Sequence, residues 1–329
     1  EGDDRCGQWL ELCRHGVEFI DRFGFDHADG RMWFHVARDG RPIRKRRYAF
    51  TESFAAIAYG EYARAAGSDR YAEKARRCFR RFLDHNLKPE GVEPKYTAAR
   101  PMKSIGFPMI AMATAQELRG SIGLDEAEVW IDRSTETIRR DHVKADLEAV
   151  METVGPRGEV YDHFDGRTLN PGHAIEAAWF LMDEGRLRGD AGLVDLGTTM
   201  LDWMWARGWD AEYGGVLYFV DLKRLPVQEY WHDMKFWWPH NETIIATLLA
   251  YELTGDAKYA EMLRKVHVWS YAHFPDPEHG EWFGYLHRDG RRSVPLKGNL
   301  WKGPFHLPRM QWICSQILRR LRRKSSIPE

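Results

Sequence analysis

What is scarce in this chain narrows its class before any motif is read. Its 329 residues hold four cysteines, Cys6, Cys13, Cys78 and Cys314, and no two form a Cys-x-x-Cys pair. That speaks against a zinc knuckle or dithiol motif, and a reduced, cytoplasmic setting is the simplest expectation. No apolar run approaches the roughly 18 residues of a membrane span. The acidic opening Glu1-Gly2-Asp3-Asp4-Arg5 is not a signal peptide. Excess charge is missing too. The 48 Lys+Arg and 49 Asp+Glu leave a formal net charge of -1, which argues against nucleic acid or an anionic membrane as partner. The Arg-rich stretches 44–47 and 319–324 read as a solvated loop and a helix face. No Gly-x-Ser-x-Gly elbow, no Gly-x-x-x-x-Gly-Lys-Ser/Thr loop, and neither His-Glu-x-x-His nor His-x-x-x-His occurs, so no metal is expected.

Aromatic residues are plentiful: 14 Trp, 13 Tyr and 16 Phe. They suit a carbohydrate pocket as well as plain packing. Apolar residues recur at helical spacing, predicting ten helices near 6–23, 51–67, 69–86, 104–121, 124–148, 172–188, 190–207, 239–254, 256–273 and 306–323. Thr51 with Glu52 and Ser53 reads as one start, Asn170-Pro171 as another, and Gly67, Gly120 and Gly255 as stops. The class is therefore all-α. Between the helices an acidic, glycine-closed turn followed by alternating aromatics recurs at 25–34, 209–219 and 276–285, with a weaker copy at 158–166. Each reads as a short β-hairpin. Helix pairs punctuated by similar loops indicate a helical-hairpin repeat, either an open solenoid or an α/α toroid with its loops around one cleft. No linker composition divides the chain, so 1–329 is expected to be a single domain.

Three of the 14 histidines share a setting. His173 follows Asn170-Pro171-Gly172, His240 follows Trp238-Pro239, and His306 follows Gly303-Pro304-Phe305. Each sits where a Pro- or Gly-bearing loop enters a helix, and proline at the first helical position is expected at 239. A histidine at that positive end tends to stay neutral near pH 7. Glu176 and Arg309, at i+3, share a face with their histidines. Glu242 follows His240 by two. A buried aromatic cluster around a hydrogen-bonded core histidine would give the same pattern at 236–242.

At this point the motifs resemble a family. Arg38-Asp39-Gly40-Arg41-Pro42, Phe50-Thr51-Glu52-Ser53-Phe54, Asn170-Pro171-Gly172-His173 with Glu176 and Trp179, Gly208-Trp209-Asp210 with Gly214-Gly215, Lys235-Phe236-Trp237-Trp238-Pro239-His240-Asn241-Glu242, Asp276-Pro277-Glu278 with Gly280-Glu281-Trp282-Phe283-Gly284-Tyr285, and Lys302-Gly303-Pro304-Phe305-His306-Leu307-Pro308-Arg309 are similar to the N-acyl-D-glucosamine 2-epimerases, the family that includes the renin-binding protein. The resemblance implies an (α/α)6 barrel of twelve helices. Ten are read here, with the chain opening where the family's third would lie, so the first helical hairpin is expected to be absent. It implies epimerisation at C2 of an open-chain sugar. It makes His240 and His306 the acid/base pair, with His173, Glu176, Trp238, Glu242, Glu281 and Arg309 lining the pocket. No cofactor is implied for the chemistry. ATP activates some members, and a homodimer is the usual assembly.

A proton alpha to a carbonyl needs a positioned base and a stabilised enediolate oxygen. Inversion needs a second acid on the opposite face. Hence two histidines are expected across one carbon, interconverting N-acyl-D-glucosamine and N-acyl-D-mannosamine. Rival readings are an epimerase or aldose–ketose isomerase for unmodified sugars such as mannose or cellobiose, a glycoside hydrolase on the same toroid, and a non-catalytic sugar-binding protein.

Overall fold

The computed structural model describes residues 5–46, 49–88 and 95–325, the side chains of 324 and 325 excepted. The acidic run at 1–4, Arg47 and the Lys324 side chain lie outside the described residues. Eleven helices run through the described residues: α1 (Cys6–Phe23), α2 (Phe50–Ala66), α3 (Asp69–Leu87), α4 (Gly106–Ile122), α5 (Ala127–Thr137), α6 (Phe164–Arg167), α7 (Pro171–Arg188), α8 (Ala191–Gly208), α9 (Trp237–Thr254), α10 (Ala257–His273) and α11 (His306–Ser325). They fall into two compact units, Glu1–Pro101 with Gly106–Thr137, and Met102–Ile105 with Ile138–Glu329.

In the first unit α2 packs on α1, α3 and α4, and α4 packs on α5. In the second, α7 packs on α8 and α9, and α9 on α10 and α11. The local chemistry of the hairpins repeats. Gly189 (φ 67°) ends α7, and Asp190 accepts the N–H groups of Gly192 and Leu193 to begin α8. Gly255 (φ 70°) ends α9, and Asp256 caps Lys258 N at the start of α10. A left-handed glycine followed by an aspartate cap turns the chain back at little cost. α7 and α9 are buried on nearly all sides, α9 through Ile244, Ile245, Leu248 and Leu249 among others. A helix apolar all round must be covered all round. Each such side chain contributes about 1.5–3 kcal/mol on burial.

Several expected boundaries move. The helix expected over 124–148 stops at Thr137 and passes through a π-turn at Ile138–His142. A short antiparallel ladder follows, Val143–Lys144 against Ala149–Val150. Asp141 is held by Lys103 and Arg140, and this tertiary anchoring overrides the helical periodicity. Gly120 lies inside α4, and Gly123 (φ 61°) follows its end. α2 begins at Phe50 without a Thr51 side-chain cap. The weak turn copy at 158–166 is no hairpin and runs into α6.

The three strong turn copies share one architecture. A single backbone bridge closes each, Phe25 to Met32, Trp209 to Val216 and Pro275 to Trp282. Asp26, Asp210 and Asp276 cap the following N–H groups. Gly30, Gly214 and Gly280 take φ of 67°, 73° and 69°. Lys45, Lys235 and Lys297 each reach the aspartate of their turn. Beyond the bridge the strands mostly pair elsewhere: Val220–Asp221 with Thr168–Leu169, and Tyr285–Leu286 with Lys235–Phe236.

Candidate active site

Four segments of the second unit deliver the polar groups: the first two turns of α7 and α9, the first turn of α11, and the strand pair Lys103–Ser104 with Thr153–Val154 that flanks Glu152. α9 starts at Trp237, so Pro239 is its third residue and not its first. The position still costs no hydrogen bond, because the first four N–H groups of a helix have no intrahelical partner.

At the centre stands Glu242, fully buried. Its Oε2 accepts the indole N–H of Trp179 at 2.8 Å. Its Oε1 accepts His306 Nδ1–H at 2.7 Å and Arg309 Nη2 at 2.7 Å. The same Arg309 Nη2 donates to Glu176. Burial pushes the Glu242 carboxyl up, but Arg309 and His306 outweigh it and hold it below the usual carboxylate range. Burial likewise opposes the Arg309 charge, yet Glu242 and Glu176 keep its pKa above the ordinary value. Glu176, Glu242 and His306 place ligand atoms within 4.8 Å of one another. The guanidinium that bridges the two carboxyl groups supplies the positive charge there, so this donor set is a poor cation site.

A second histidine–carboxylate pair lies close by. His173 Nδ1 donates to Glu152 Oε2 at 3.0 Å, and Ser104 Oγ stands 3.4 Å from the other oxygen. Both imidazoles rest against one indole. The Trp238 ring centroid is 5.0 Å from that of His173 and 5.7 Å from that of His306, at interplanar angles of 33° and 34°. A carboxylate can only accept, so each bond fixes the proton on Nδ1 and leaves the neutral ring's lone pair on Nε2. The side chains are 31% exposed at His173 and 20% at His306, so both rings reach solvent-accessible space.

His240 is not brought to this cluster. It is fully buried. Its Nδ1–H donates to the Phe236 carbonyl at 2.6 Å, and its Nε2 accepts Val216 N–H at 2.9 Å. The ring stacks on Trp269 at 4.9 Å. Burial pushes its pKa down to about 3. The facing pair expected of His240 and His306 is therefore not what the chain forms, because both nitrogens of His240 are committed to backbone. Glu281 bonds to other partners. Its Oε1 accepts the N–H of Trp282 and Lys302 Nζ at 3.0 Å, and Lys302 lies against Trp237. His173, Glu176, Trp238, Glu242, His306 and Arg309 are brought together as expected. Glu152 escaped sequence reasoning: it follows a short strand just beyond the stretch 124–148 that reads as helix, and nothing local marks it as a partner for a residue 21 positions on. Trp179 carried a signal, its place one turn beyond His173 and Glu176 on α7.

The comparisons with known proteins bear on the family and the fold. A family model described as N-acylglucosamine 2-epimerase (GlcNAc 2-epimerase) matches residues 3–306. The chain is 36% identical over 319 residues to an N-acylglucosamine 2-epimerase of Bos taurus, covering 95% of this chain and 75% of that one. Among solved structures, a D-mannose isomerase superposes with a TM-score of 0.78 at 15% identity, over 95% of this chain and 82% of that one. The cellobiose 2-epimerase from Bacillus thermoamylovorans B4167 gives 0.78 at 16%, with the same coverage. At such identities the likeness is one of fold, and that fold is the (α/α)6 barrel.

Proposed function

The chain belongs to the N-acylglucosamine 2-epimerase family, and from that premise we propose that it interconverts N-acyl-D-glucosamine and N-acyl-D-mannosamine with His173 and His306 as its two proton-transfer groups. The observation that carries the assignment is the pair of carboxylate-held imidazoles on one tryptophan, Glu152–His173 and Glu242–His306, both resting on Trp238.

The chemistry follows from the tautomer. With the open-chain sugar over Trp238, one Nε2 removes the C2 proton while the other histidine, protonated on Nε2, returns a proton to the opposite face. The carboxylate behind each ring stabilises the imidazolium that forms. Each acid/base group contributes roughly 10²- to 10⁴-fold in rate. Arg309, fixed between Glu176 and Glu242 with Nη2 3.3 Å from His306 Nδ1, offsets charge developing on the enediolate oxygen. No step calls for a bound cofactor. The hydrolase reading weakens on geometry. A glycosidase points two carboxyl groups, roughly 5–10 Å apart, at one bond, whereas Glu176 and Glu242 converge on a shared guanidinium.

The direct test is proton exchange. Incubated with N-acetylmannosamine in D₂O, the protein should yield N-acetylglucosamine carrying deuterium at C2, seen by NMR. Mannose and cellobiose, run in parallel, separate the N-acyl substrate from unmodified sugars. Conversion without deuterium at C2 overturns the mechanism.

A further inference from the structure

Two histidines outside the proton-transfer pair are buried, each with Nδ1–H on a backbone carbonyl, and each adjoins a different half of the site. His240 has been described. His142 ends the π-turn and is also fully buried. Its Nδ1–H donates to the Met151 carbonyl at 2.8 Å, while its own carbonyl accepts Met151 N–H at 2.8 Å. Side chain and main chain thus grip one residue from both sides. The next residue is Glu152, whose carbonyl accepts Ile105 N–H at 3.0 Å and whose carboxylate holds His173.

We propose that His142 and His240 are positioning residues, one behind each histidine–carboxylate pair: His142 fixes Glu152 for His173, and His240 fixes Glu242 for His306. His240 does so by tying the first turn of α9 to two outside anchors. Phe236 O belongs to the strand entering the helix, and Val216 N belongs to the Asp210 turn. That turn is itself pinned by Lys235 at 2.9 Å and Arg288 at 2.8 Å. Gly215 (φ 75°) lets the turn approach, since a Cβ there would lie 2.9 Å from His240 Nε2. Trp238 and Glu242 flank His240 in the sequence, so a slip of this turn displaces both. Misplacement on the order of 1 Å is enough for about a 10²-fold loss. A neutral imidazole suits the task because its Nδ1–H reaches a carbonyl and adds no buried charge.

The inference rests on the two-histidine reading, and the test separates them. Asparagine presents its amide nitrogen near the Nδ1 position, whereas glutamine presents it near Nε2. His142→Asn should retain kcat within about threefold, and His142→Leu and His142→Gln should lose about 10- to 100-fold in kcat with KM within about threefold. His240→Leu should behave like His142→Leu. Exchange of C2 hydrogen in D₂O, started separately from each epimer, adds a readout that general damage would not sort. Glu152→Gln and Glu242→Gln should impair exchange from opposite epimers. The His142 variants should follow Glu152→Gln, and His240→Leu should follow Glu242→Gln. Where His142→Leu fails to fold by circular dichroism, the contrast of His142→Asn with His142→Gln carries the test; where His240→Leu fails, His240→Asn carries it, with a loss of about tenfold in kcat biased to the same epimer as Glu242→Gln. Wild-type kcat in His142→Gln or His240→Leu, or equal loss from both epimers, overturns the positioning role alone. Absence of epimer bias in Glu152→Gln and Glu242→Gln overturns the two-histidine reading and this inference with it.

Discussion

His306 and His240 start from the same sequence setting, a proline-bearing entry into a helix, and finish in opposite environments. His306 faces Glu242 with one nitrogen and keeps 20% of its side chain exposed. His240 is sealed, and both its nitrogens meet backbone. What a histidine can do is set by its partners. A carboxylate stabilises the imidazolium and so makes proton uptake productive, whereas a carbonyl and an amide in a dry pocket hold the ring neutral. The comparison breaks most visibly in turnover. His173→Asn and His306→Asn should each lower kcat by about 10²- to 10⁴-fold. His240→Asn, which keeps a donor for Phe236 O, should lose about tenfold. Steady-state conversion of N-acetylmannosamine measures all three, and a His240→Asn enzyme as inactive as His306→Asn would erase the distinction.

Stability is the next lever. Glu242 joins Trp179, His306 and Arg309 in a dry pocket. Glu242→Gln leaves Arg309 paired with Glu176 but disturbs the buried hydrogen bonds of Trp179 and His306, at about 1–3 kcal/mol, so that much should be lost in urea titration, in addition to activity. A loss under about 1 kcal/mol would mean that water screens the cluster.

Much of this was legible in the sequence, but unevenly. Most of the helices, and the caps at Gly67, Asn170 and Gly255, followed from periodicity and from Gly or Asn-Pro punctuation, which are local signals. His173, Glu176, Trp238, Glu242, His306 and Arg309 were marked by their helix-entry motifs. The division of labour among the histidines was not legible. Whether an imidazole at a helix entry meets a carboxylate or a carbonyl depends on segments far along the chain, such as Val216 for His240 and Glu152 for His173. The π-turn that ends α5 was hidden for the same reason. The periodic pattern of 124–148 continues past it, and only the distant Lys103 and Met151 reveal why the helix stops.

Two glycines sharpen the contrast at smaller scale. Gly215 and Gly255 have φ of 75° and 70°, so alanine at either is strained by about 1–2 kcal/mol. A Cβ on Gly255 meets nothing within 4 Å, whereas on Gly215 it lies 2.9 Å from His240 Nε2 and 3.0 Å from Trp269. Gly215→Ala should thus cost about 1–3 kcal/mol beyond Gly255→Ala and lower kcat, while Gly255→Ala leaves kcat unchanged. Equal urea midpoints for the two variants would show that the turn is not held against His240.

Acid sensitivity is a further point of difference for the two buried histidines, and its sign is set by burial. His240 and His142 have pKa values pushed down to about 3 and about 4, from an unfolded value near 6.5, chiefly by loss of solvent. Below pH 6.5 the unfolded chain takes up protons at these two sites and the folded chain does not. The stability they confer is therefore complete above that pH, and drains as pH falls toward their folded values, at up to about 1.4 kcal/mol per pH unit for each group. Between pH 6.5 and 5 the carboxylates held low, such as Asp210 and Asp141, remain ionised in both states and contribute little. Urea midpoints taken across that window should fall for the wild type. They should fall less for His240→Asn and for His142→Asn, which cannot take up the proton. Parallel curves for wild type and variants would mean that these rings titrate alike in both states, and that the dry clamp around them opens to water.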